Sequence, residues 1–161
     1  MQKSWYRPLI EQISKEFGLD PLLVEAISWQ ESLSCADAFR FEPKFWLRYQ
    51  KHLPEYKGAN PRRVSASYGL MQVMYQTAKE AGFVGDPEEL FIPAVNVFWS
   101  CGILKKLTTW AKAFATSDET QLQAVLASYN GGRGGNKPTD QPLRNGRYAA
   151  AVLSIYRQLK G

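Results

Sequence analysis

The sequence predicts a mainly α-helical domain, and two observations carry that prediction. Apolar residues recur at spacings of three and four through most of the chain, the spacing at which side chains share one face of a helix. Asp-Pro pairs and lone prolines stand where those stripes begin, as at helix starts. Strand alternation is weak, with room for one small β-hairpin between about residues 61 and 74. The chain has 161 residues, 45% hydrophobic and 22% charged, which suits a single domain over 1–161 with a substantial core.

The elements follow in order. Pro8 opens a helix with Leu9, Ile10, Ile13 and Phe17 on one face and Gly18 as its stop. Asp20 and Pro21 read as N-cap and first residue of a second helix, which ends at "SWQES". Asp86 and Pro87 start a short piece. Pro93 opens a longer helix that turns Val97, Cys101, Leu104 and Leu107 inward. A later helix, capped from Ser117 or Asp118, carries the stripe Leu122, Val125, Leu126 and Tyr129. The last helix presents Tyr148, Val152 and Tyr156, with Ala149, Leu153 and Leu159 beside them. Two segments read as irregular, 33–68 and 130–146, and irregular segments are where binding groups concentrate.

Charge and cysteine usage narrow the function classes. A net charge of +5 favours a polyanionic setting only mildly. No nucleic-acid motif accompanies it, so a nucleic-acid partner is not expected. Cys35 and Cys101 allow at most one disulfide and have no metal-ligand spacing; Cys101, within "FWSCGIL", reads as a buried free thiol. His52 sits in a polar run and reads as a solvated surface residue. The N-terminus lacks the apolar run of a secretory signal, and no stretch approaches the length of a membrane span. No metal or organic cofactor is expected, nor stable membrane insertion, and the chain is expected to be a monomer.

One residue of the second helix is out of place. Stepping back from Glu31 in helical turns gives Ile27 and Leu23, with Ala26, Leu22 and Leu19 on or beside the same stripe. A carboxylate on that face is costly unless it is paired or kept protonated. Either Glu31 lies at the rim of the core with a partner, or a raised pKa is its use. The irregular segments add "FRFEPKFW", aromatics interleaved with charge, and "YNGGRGGNKP", whose glycines would let a ligand approach the backbone. The glycine run lacks the Gly-Lys-Ser/Thr of a phosphate loop.

Three pieces then combine: Glu31-Ser32 at a helix end, "YGLMQV" at 68–73, and "SYNGG" at 128–132. In that order they resemble the catalytic domain of the soluble-lytic-transglycosylase (SLT) family, which has a lysozyme-like, goose-type helical fold. The resemblance runs from about residue 9 to 157; Met74, Thr77, Ala78, Pro93, Asn96 and Tyr148 fit its continuation. It implies cleavage of the β-1,4 bond between N-acetylmuramic acid and N-acetylglucosamine in peptidoglycan, with closure of a 1,6-anhydromuramoyl ring. Glu31 is then the catalytic acid and afterwards the base. Ser32 would hydrogen-bond at the catalytic end of the helix, and Gln72 would bind an N-acetyl group or hydroxyl. Met71 would supply an apolar wall, Tyr129 and Asn130 would frame the cleft, and Tyr148 would reach toward Glu31.

The sequence also departs from that pattern. Ser128 replaces the usual alanine, and Ser100 stands where glycine is usual, which predicts looser helix packing there. The stretch between Glu31 and Gly69 is longer than usual, so Glu42 or Asp37 could face Glu31 as a second carboxylate, making a goose-type-lysozyme-like hydrolase (a muramidase). The alternative for Glu42 is a salt bridge with Arg40, Lys44 or Arg48. A reading of another class is a non-catalytic glycan-binding piece of a phage tail or secretion apparatus. Without a signal peptide, the enzyme would be made in the cytoplasm and reach the wall after release, as a phage or prophage endolysin does, or be carried on a virion.

Overall fold

The computed structural model describes residues 2–161. Helix α1 spans Arg7–Glu16 and α2 spans Pro21–Ser32. Asp20 caps α2, its Oδ1 accepting from Leu22 N at 2.9 Å, and Pro21 supplies a first residue that has no N–H to leave unpaired. Strand β1 (Phe39–Phe41) leads into the short helix α3 (Pro43–Phe45), which continues as a π-turn over Trp46–Gln50. A 3₁₀ turn at Pro54–Tyr56 and helix α4 (Pro61–Val64) precede β2 (Ala66–Tyr68) and β3 (Val73–Met74). Helix α5 (Tyr75–Ala81), a 3₁₀ turn at Pro87–Phe91, and the helices α6 (Pro93–Lys112), α7 (Asp118–Gly131) and α8 (Gly146–Lys160) complete the chain.

The helices make the core. Helix α2 packs on α1 and α8, α6 on α1 and α7, and α7 on α8. Ile10, Val24, Ile27, Val97, Cys101, Leu126 and Val152 are fully or almost fully buried between them. The looser packing expected at Ser100 is not found: Ser100 is fully buried and its Oγ donates to Asn96 O at 2.7 Å.

The segment 33–68 is not irregular, and this corrects the reading from sequence. It contributes β1 to a three-stranded antiparallel sheet ordered β1-β2-β3, with Phe39 opposite Tyr68, Phe41 opposite Ala66, and Tyr68 opposite Val73. The expected hairpin is the β2–β3 half. Strand β1 pairs with residues far along the chain, a partnership that alternation within three residues cannot announce. The segment 130–146 does lack strand and helix beyond the end of α7 and the start of α8.

The most deeply buried carboxylate is Glu25, one side of the helix away from Glu31. It is 1% exposed. Its Oε2 accepts from Arg7 Nε at 2.6 Å, and its Oε1 accepts from Ser4 N at 2.8 Å and Trp29 Nε1 at 3.4 Å. A buried charge so partnered is tolerated, whereas removing one partner leaves it uncompensated.

Candidate active site

The β2–β3 connection is the centre of the site, and its backbone is forced. Gly69 has φ +72°, and a Cβ there would stand 2.6 Å from Asn96 Nδ2 and 2.8 Å from Leu90 O, so only glycine fits. Gln72 also adopts a left-handed conformation, with φ 47°. Such backbone holds only when its surroundings over-determine it, and three side chains from three helices do so. Buried Asn96 of α6 accepts from Met71 N at 2.8 Å and donates to Tyr68 O at 2.7 Å and Leu90 O at 2.8 Å. Ser32 at the end of α2 donates to Leu70 O at 2.7 Å. Tyr129 at the end of α7 donates to Met71 O at 2.8 Å.

Ser32 therefore meets the loop backbone, and it also accepts from Cys35 N at 3.1 Å, where the chain leaves α2. Met71 is a correction. It is fully buried in the core and has no exposed surface with which to form a cleft wall. Its backbone, not its thioether, connects it to the site.

Along the loop runs a cleft of about 820 Å³. Glu31, Gln72, Tyr129 and Asn130 all line it. Tyr148 reaches across from α8, its hydroxyl donating to Glu31 Oε1 at 2.6 Å. Burial raises the pKa of Glu31 above the ordinary glutamate value, while the Tyr148 hydrogen bond and then the charge of Arg40 act in the opposite direction. The tyrosines are pushed upward as well, Tyr129 by burial and then by the Glu31 charge, and Tyr148 by the same two causes. Both remain hydroxyl donors at neutral pH.

Gln72 is oriented by its neighbours. Its Nε2 donates to two carbonyls, Ala38 O at 3.1 Å and Gly69 O at 3.2 Å. Two carbonyl acceptors fix which end of the amide is nitrogen, and Oε1 is left as the acceptor on the cleft side. Asn130 accepts from Asn145 Nδ2 at 2.8 Å. Buried Asn136 joins the same network, accepting from Asn145 N at 2.8 Å and donating to Gly132 O at 2.8 Å. The glycine run accordingly has two uses. Gly131 and Gly132 line the cleft, and a Cβ on Gly131 would overlap Asn145.

The long segment before Gly69 supplies the opposite wall with Arg40, Glu42, Phe45 and Tyr49. Glu42 is held by Arg40, Nε to Oε1 at 2.6 Å, the salt bridge foreseen as its alternative to facing Glu31. Asp37 is exposed and does not line the cleft. Phe45 and Tyr49 have ring centroids 4.9 Å apart and give the wall an aromatic surface. The sequence reading singled out this segment but neither ring, nor Lys106 and Arg133, which also line the cleft; Thr77, named there only as fitting the family pattern, lines it too. Aromatics interleaved with charge in "FRFEPKFWLRYQ" were the available signal.

Cys35 is exposed and Cys101 buried, both as free thiols, and burial pushes Cys101 up to about 12. His52 is exposed. Among the described residues, no three His, Cys, Asp or Glu side chains gather as metal ligands would, and no helix is long and apolar enough to cross a membrane.

A helical lysozyme-like domain with a partly buried glutamate lining its cleft is the class that fold and geometry define. The chain belongs to the Transglycosylase SLT domain family, whose model matches residues 8–149. Among solved structures it is similar in fold to an inactive mutant of the lytic transglycosylase Slt from Pseudomonas aeruginosa, with TM-score 0.67 and 20% identity. That match covers 96% of this chain and 24% of the other, so this chain spans about a quarter of that protein's length. No curated protein matches the sequence.

Proposed function

We propose that this chain cleaves the β-1,4 bond between N-acetylmuramic acid and N-acetylglucosamine by lytic transglycosylation, with Glu31 as acid and then base. The observation that carries the reading is the setting of Glu31: desolvated, lining the cleft, and bonded through one oxygen to Tyr148. Desolvation favours the neutral acid, which the first step needs. Tyr148 occupies Oε1, so the proton is carried on Oε2. Glu31 gives that proton to the glycosidic oxygen as the C1–O4 bond breaks. The resulting carboxylate takes the proton of the muramoyl C6 hydroxyl, O6 bonds to C1, and the ring closes. Glu31 ends protonated again, and no water is consumed.

The remaining groups position the sugars. Gln72 Oε1 accepts from an acetamide N–H, Asn130 bonds a hydroxyl, and Phe45 and Tyr49 offer flat apolar faces. Ser32, Tyr129 and Asn96 act through the 69–72 loop that they hold. Glu42 fixes Arg40, whose charge supports the carboxylate form of Glu31 between the two steps.

Digestion of purified peptidoglycan in ¹⁸O water tests the chemistry. The products should end in 1,6-anhydromuramic acid, free of ¹⁸O and lighter by one water than reducing ends. Glu42→Gln should lose far less activity than Glu31→Gln. Labelled reducing ends, with Glu42→Gln as inactive as Glu31→Gln, would make the enzyme an inverting muramidase instead.

A further inference from the structure

Helix α8 has a second cavity on its other side. Tyr148 and Val152 face inward, and at 3.6 residues per turn Gly146, Ala150, Leu153 and Arg157 lie on the opposite face. Those four positions, with Leu143 and Pro142 from the preceding loop, line a cavity of about 570 Å³. Three arginines surround it, Arg144, Arg147 and Arg157, and no Asp or Glu is in its lining. None of the three forms a salt bridge among the described residues. Glu119 meets the rim through the Gln123 amide, Nε2 to Oε1 at 3.2 Å.

Three guanidiniums around one apolar floor repel each other, and arginine cannot shed its charge to relieve that. An anion relieves it, and a carboxylate suits the guanidinium fork, two oxygens to two N–H groups. The apolar floor of Leu143 and Leu153 asks for a ligand with a body as well as a charge. The position adds a constraint. Gln123 on the cavity wall lies seven residues before Asn130 in the cleft, about 10 Å along α7. Arg144 bridges the two: it lines the cavity and its Nη2 donates to Gly131 O, which lines the cleft.

We propose that this arginine-lined cavity binds the carboxylate-bearing peptide branches of the wall glycan while the sugar strand lies in the cleft. The assignment rests on the peptidoglycan reading above. A glycan strand crossing Gly131 carries its branches within reach of Arg144, and a short acidic peptide has both the charge and the apolar side chains that the cavity calls for.

The test uses glycan strands with acidic peptide branches, the same strands with the branch carboxylates amidated, and strands stripped of peptide. The proteins are wild type and an Arg147→Gln/Arg157→Gln double variant, both substitutions on exposed residues of α8. Wild type should show a KM for branched strands roughly five- to ten-fold below that for stripped or amidated strands, the worth of one or two charge-assisted contacts. The double variant should lose that preference and keep wild-type kinetics on stripped strands. A preference that survives in the double variant, or is absent from wild type, overturns the proposal. Preference for amidated strands equal to that for acidic ones overturns it too. Binding of the three strands to Glu31→Gln protein, with and without the two arginine changes, gives the same comparison without turnover. If wild type cuts none of the three strands, the cleavage reading fails while this binding comparison still decides the cavity. Binding of inorganic phosphate that competes fully with branched strands would mark the cavity as a general anion site and overturn the peptide assignment.

Discussion

At Glu31, the proposed chemistry and stability pull in opposite directions. The folded state raises its pKa above the unfolded value near 4.5, so the native protein holds this proton more tightly than the unfolded chain does. The stability that this proton contributes is fully present below the unfolded pKa and is lost as pH rises through the folded one. Glu31→Gln, neutral at every pH, should therefore be more stable than wild type at pH 7. The gap should close as pH falls toward 4, and denaturant melts across that range measure it. The same variant should lose at least about 10²-fold in wall lysis, because an amide cannot donate the proton. Tyr148→Phe removes a hydrogen bond to the charged carboxylate, so the Glu31 pKa should rise further. The alkaline limb of the pH–rate profile should move to higher pH, and the rate should fall roughly ten-fold, as for a charge-assisted bond of about 1.5 kcal/mol. Ser128 offers a contrasting case: it lines the cleft region, is 3% exposed, and its Oγ has no hydrogen-bond partner. Ser128→Ala should raise stability by about 1 kcal/mol, read as a higher urea midpoint with little change in rate.

At the level of elements, the site depends on one loop clamped from three helices. Asn96→Ala would leave Met71 N, Tyr68 O and Leu90 O without their buried partner. At about 1–3 kcal/mol for each orphaned group, the loss should be at least about 3 kcal/mol, seen as a fall in urea midpoint at constant slope. Gly69→Ala should be comparably damaging and should abolish activity even where the protein still folds, because the loop carries Gln72. Much of this scaffold is written locally. Asp20 with Pro21, Pro93, Ser117 and the 3–4 stripes announce α2, α6 and α7 because caps and faces are properties of neighbouring residues. Strand β1 and the Glu25–Arg7 pair are not written that way, since each needs a partner from another element. Met71 shows the opposite failure. The motif was readable, but whether its side chain turns to the cleft or the core is decided by three-dimensional packing. The approach of Tyr148 to Glu31, across most of the chain, was accessible only through resemblance to a family.

For the molecule as a whole, the proposed function predicts that the net charge of +5 draws the protein to anionic wall. Activity on intact wall should fall as salt shortens the Debye length below about 8–10 Å, while activity on a short neutral glycan should fall much less; equal dependence would remove wall attraction as the reason for the charge. The pairing of Glu25 with Arg7 and Ser4 bears on where the chain can be trimmed. The family match starts at residue 8 and stops at 149, so a fragment cut to those limits would lose both the Arg7 guanidinium and the Ser4 amide while keeping Glu25 sealed inside. An interior carboxylate that has lost its cationic partner and keeps only the long Trp29 Nε1 contact costs about 3–5 kcal/mol, a large share of what a domain of this size has to spare. The fragment would also lose most of α8, which packs on both α2 and α7. Restoring residues 2–7 alone to a fragment that already keeps the whole of α8 should recover cooperative melting, and restoring them with Arg7→Ala should not. The region that the family pattern covers is on this account smaller than the region that folds cooperatively.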